Sequence, residues 1–125
     1  MSGLKTFLVL LIVLPMPGRA AEDPLVSVFA ACAGRFSAEL EHAWLMQDER
    51  AFEFEHRLAQ FIDLLNATVP RDRQRHALYL RIEAKMAHAQ LLSQASFSGN
   101  ADRSLWAVHL ARSEIDYCTG FLLES

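Results

Sequence analysis

At 125 residues the chain has room for one small domain, and its composition, 52% hydrophobic and 22% charged, is that of a segment able to bury a core. A formal net charge of −3 excludes a general nucleic-acid binder, which needs a basic surface. No repeat, low-complexity run or alternating β pattern appears, so the helical period organises the reading.

Residues 1–20 read as an export signal. Lys5 precedes the apolar run Phe7–Leu14, Pro15 and Pro17 break it, and Gly18-Arg19-Ala20 places small residues for a cut after Ala20. That run is far shorter than the about 20 apolar residues of a membrane span. A competing reading, a lipid-attachment box at Phe29-Ala-Ala-Cys32, is separated from the apolar run by Arg19, Glu22, Asp23 and Pro24. Residues 21–125 then form a single domain, and loss of Lys5 and Arg19 takes the charge from −3 to −5. Lys85 is the one lysine of this domain beside nine arginines, and with the short signal this bias points to a bacterial periplasmic protein.

Asp23-Pro24 predicts a helix start, with Asp as N-cap and Pro in the first turn. Leu25, Phe29, Cys32, Phe36, Leu40 and Ala43 follow as one stripe of a helix ending near Gln47, and Gly34 beside it admits a close neighbour. Asp48 is placed to cap a second helix with the stripe Ala51, Phe54, Leu58, Phe61, Ile62 and Leu65. Asn66-Ala-Thr68 spells a glycosylation sequon, which in a bacterium reads as the plain end of that helix.

Pro70 opens a third helix. It carries two apolar rows, Leu78, Ile82, Met86 and Ala89 beside Ala77, Leu80, Ala84, Ala87 and Leu91; so wide a face predicts the most buried helix. Ser96–Asn100 is a turn, and Asn100 caps a fourth helix with the stripe Leu105, Val108, Ala111, Ile115, Cys118 and Leu122. Short turns make an all-α, four-helix, up-down-up-down bundle.

Two cysteines in an exported chain read as one disulfide. In this topology Cys32 and Cys118 lie at similar heights at the same pole, both on core stripes, so the expected bridge closes the bundle. No Cys-x-x-Cys redox or haem-attachment motif is present.

Other chemistry finds little support. His42, His56, His88 and His109 lie one per helix near one level, and Glu39 with His42 and Glu53 with His56 match Glu-x-x-His. Yet His56 and His109 fall off their stripes, the inward glutamates of the other two helices are missing, and the histidines read as solvated; no bound metal is expected. Met46 lies at the wrong end of the first helix for a haem ligand, so no cofactor is expected. There is no nucleophile elbow or phosphate loop, hence no catalytic residue and no enzyme.

Charge is more informative. Residues 24–68 carry three basic and seven acidic side chains, residues 69–85 five basic and two acidic. Arg71, Arg73 and Arg75 crowd a helix N-terminus, where the dipole disfavours cations. One reading pairs them with acids of the second helix; the sharper one makes Arg71, Arg73, Arg75, Arg81 and Lys85 the centre of a partner-binding face. Trp44 and Trp106, each next to a core position, read as half-buried packing or as binding anchors.

The stretch Cys32–Leu45 resembles part of small, uncharacterised exported helical proteins of alphaproteobacteria. The resemblance implies periplasmic location and no activity. Together these readings lead to the expectation of a non-enzymatic periplasmic accessory protein that binds another protein, with no nucleic acid and no stable membrane insertion; a ligand- or metal-binding bundle is the alternative.

Overall fold

A computed structural model describes residues 23–123, so the expected export signal at 1–20 lies outside the described residues. Four helices follow in order: α1 (Pro24–Leu45), α2 (Ala51–Thr68), α3 (Gln74–Phe97) and α4 (Ala101–Leu123), with a 3-10 turn at Arg71–Arg73 ahead of α3. The all-α, up-down-up-down bundle expected from the sequence is the observed architecture, and a Cys32–Cys118 disulfide closes it.

Local chemistry sets most helix ends. The Leu25 amide donates to Asp23 Oδ1 at 3.0 Å with Pro24 in the first turn, and the Arg103 amide donates to Asn100 Oδ1 at 3.0 Å. α1 stops two residues short of the expected Gln47, because Gln47 itself turns left-handed at φ 53°. The Asp48 amide then reaches back to the Ala43 carbonyl at 2.8 Å and the Gln47 amide to that of Trp44, a reverse turn that satisfies α1's last carbonyls. Asp48 does not cap α2 itself: its carboxylate holds the Arg50 amide and guanidinium, and its carbonyl receives the Ala51 amide.

The centre of the bundle is α1, not α3. Ten residues of α1 are buried against three of α3, which corrects the expectation that the wide apolar face of α3 makes it the most buried helix. α1 packs most closely on α3, then on α2, and touches α4 more sparingly; α4 leans on α3. α2 and α3, although consecutive, are not closely packed neighbours.

Gly34 explains the tight α1–α3 contact. A Cβ there would lie inside contact distance of the Arg81 carbonyl oxygen and 2.8 Å from the Lys85 nitrogen, so only glycine lets the two backbones meet. On the other side of α1 an aromatic core forms: Phe36 stacks on Phe61 at 5.6 Å, and Phe29 meets Phe61 and Phe121. Cys32 and Cys118 are fully buried with Cα atoms 5.6 Å apart, and Arg35 of α1 binds Glu114 of α4 at 2.6 Å one turn away.

Candidate functional site

The outward face of α3 is one of the places where the structure departs from a sealed bundle. α3 turns Ala77, His88 and Leu92 inward, with Ala84 against Gly34. Leu78, Ile82 and Met86, one of its two apolar rows, therefore face away and are 53%, 51% and 61% exposed. Tyr79 joins them, its hydroxyl donating to Glu83 Oε1 at 2.7 Å; that bond raises the tyrosine pKa above its ordinary value. These four large side chains form an apolar strip along one face of a single helix.

The five basic residues singled out in the sequence separate into two groups. Arg71 and Arg75 are exposed and Arg73 half-buried, on the 3-10 turn and first turn of α3, and none of the three makes an ion pair among the described residues. The pairing with acids of α2 that one reading offered is not seen among the described residues. Arg75 lies three and seven residues before Leu78 and Ile82, so it shares their face. Lys85 instead reaches back over α1 to Glu41, and Arg81 lines a shallow groove of about 270 Å³ between the end of α2 and the start of α3. Both are half-buried edges of the α1–α3 contact and not the centre of an open patch.

The tryptophans are not half-buried packing: Trp44 and Trp106 are 59% and 56% exposed. They stand at the pole formed by the end of α1 and the start of α4, together with the exposed Phe52 and Phe97.

Histidine placement corrects a second expectation. His88 is not solvated: it is buried, and its Nε2 lies 2.9 Å from Glu39 Oε1 across the α1–α3 contact. His42 Nε2 is 2.9 Å from Ser96 Oγ, while His56 and His109 are exposed as their helical phase implies. No group of three or more His, Cys, Asp or Glu side chains is arranged for a metal ion among the described residues.

Because α2 and α4 both flank α1 without closing on each other, a cleft of about 480 Å³ opens between them. Glu39 lies at its base, and Phe54, Leu92, Val108 and Ile115 supply apolar walls. At its mouth Arg50 is held by Asp48 and lies over the Phe54 ring at 5.4 Å; this guanidinium holds the Asp48 carboxyl below its ordinary pKa.

Reading the sequence missed both the exposed α3 strip and the Glu39–His88 pair. The available signals were the width of the α3 apolar arc, broader than one neighbour can cover, and the place of Glu39 directly beside core Leu40. No protein-family model, curated protein or solved structure matches the chain.

Proposed function

We propose that the chain is an exported, non-enzymatic interaction module that docks a protein partner on the outward face of α3. One observation carries this reading: Leu78, Tyr79, Ile82 and Met86 stand exposed on the face that Arg75 shares, with the exposed Arg71 on the turn just before α3, and neither arginine makes an ion pair among the described residues. Apolar anchors flanked by free arginines suit an amphipathic helix that brings an apolar ridge and a carboxylate-bearing end. The arginines steer such a partner and orient it, and the strip supplies the buried area.

Export is supported by the buried disulfide, which persists in an oxidising compartment, and by the signal-like character of residues 1–20. Among the described residues no helix is long and apolar enough to cross a membrane. A periplasmic location is the reading that joins these features.

The test places a photo-crosslinking amino acid at position 82, and separately at Phe52, in the native host. Position 82 is expected to capture one protein, attached through an acidic amphipathic segment identified by mass spectrometry. Arg71→Glu with Arg75→Glu should abolish that crosslink while leaving the helical circular-dichroism signal intact. Equal capture from position 52, or a crosslink that survives charge reversal, would defeat the reading.

A further inference from the structure

The cleft between α2 and α4 shares no residue with the α3 strip, and its chemistry is different. At its base lies Glu39, whose side chain is only 12% exposed. One carboxylate oxygen meets the buried His88 ring; the other has no partner among the described residues and no arginine or lysine pairs with this carboxylate. A carboxylate drawn out of water without a permanent cation is costly, and it retains acceptor sites for further donors. His88 takes one such site from behind and fixes the carboxylate's direction.

The surroundings select the donor. Phe54 and Ile115 are apolar, so the cleft accepts an apolar body. Glu53 and Asp116 add negative charge at the mouth; Arg50 there is ion-paired to Asp48 and also feels the charges of Glu39 and Glu53. The volume of about 480 Å³ is in the range of small-molecule sites. Arg112, which has no ion pair among the described residues, lines the same cleft and repels cations near it, so the charge the site accepts is confined to one group on the Glu39 side.

We infer that this cleft is a binding site for a small amphipathic monoamine, with its ammonium group on Glu39 and its apolar body between Phe54 and Ile115. His88 acts as a positioning residue, and the site is independent of partner docking on α3.

Three probes of one shape test it: phenethylamine, phenethyl alcohol and 3-phenylpropionate, titrated into the oxidised protein and followed by amide chemical shifts and calorimetry. Phenethylamine should bind at least tenfold more tightly than either analogue, with shifts at Glu39, Leu92 and Ile115. Glu39→Gln should weaken the amine at least tenfold and leave the alcohol unchanged. Ala95→Leu, which narrows the cleft while leaving Glu39 and His88 in place, should weaken the amine and the alcohol alike; this variant keeps the test decisive if Glu39→Gln disturbs the core. No amine binding, equal binding of all three probes, or an amine affinity untouched by both variants would overturn the inference.

Discussion

Gly34 decides how near α3 comes to α1. In an exposed helix interior, alanine for glycine stabilises by about 1 kcal/mol. Here the new methyl would meet backbone, the Arg81 carbonyl and the Lys85 nitrogen, neither of which can rotate aside. Overpacking of this kind costs about 1–3 kcal/mol or more, so the steric term wins and Gly34→Ala should destabilise. Urea unfolding at 25 °C reads the sign directly; a raised midpoint would mean that the two helices separate at little cost. Glu39 and His88 show the opposite use of the same contact. Small residues let the backbones close, and the closure buries a polar pair that neither helix could satisfy alone.

Among the elements, α1 is shared by every other helix, and the disulfide ties its first half to the end of α4. That matters because α4 packs on α1 far less closely than α2 and α3 do, and on α2 not closely at all. A bridge across 86 residues of sequence restricts the unfolded chain by about 4.6 kcal/mol in the loop-entropy model, an upper figure that native-state strain reduces. The pair Cys32→Ala and Cys118→Ala should therefore lower unfolding stability by about 3–4 kcal/mol, with the helical signal retained in the absence of denaturant. Denaturant titration of the oxidised protein beside the double variant checks it. A loss below about 1 kcal/mol would show that the Arg35–Glu114 pair and the Phe29–Phe121 contact already hold α4 in place.

Across the whole molecule, the apolar surface divides into a core that stabilises and a strip that does not. Leu40 is buried in the α1 core, and Leu40→Ala should cost about 2–5 kcal/mol. Ile82 has the same apolar character but stands half out in solvent, so Ile82→Ser should change stability by less than about 1 kcal/mol. Thermal unfolding of the two variants separates the classes. A loss at Ile82 as large as that at Leu40 would place the α3 strip in the core and remove the ground for a docking face.

The sequence alone determined the features that depend on neighbours a few residues apart. The caps at Asp23 and Asn100, the short turns and the α2 stripe through Phe54, Phe61 and Leu65 are local matters of hydrogen bonding and period, and the structure repeats them, whereas Leu25 of the α1 stripe and Leu105 of the α4 stripe stand exposed. The cysteine pairing was also legible, because helix rise and topology together set Cys32 and Cys118 at one height. Tertiary structure decided what depends on how much surface each neighbour covers. α3 has two apolar rows, and the period cannot say which one a partner helix will bury; the close approach at Gly34 turned Ala77, His88 and Leu92 inward and left Leu78, Ile82 and Met86 outside. The same approach brought Glu39 to His88, a pairing between residues 49 apart that no single stripe encodes. Local propensity is summed along one chain segment, whereas burial is shared between two, and only the second could place the strip and the cleft.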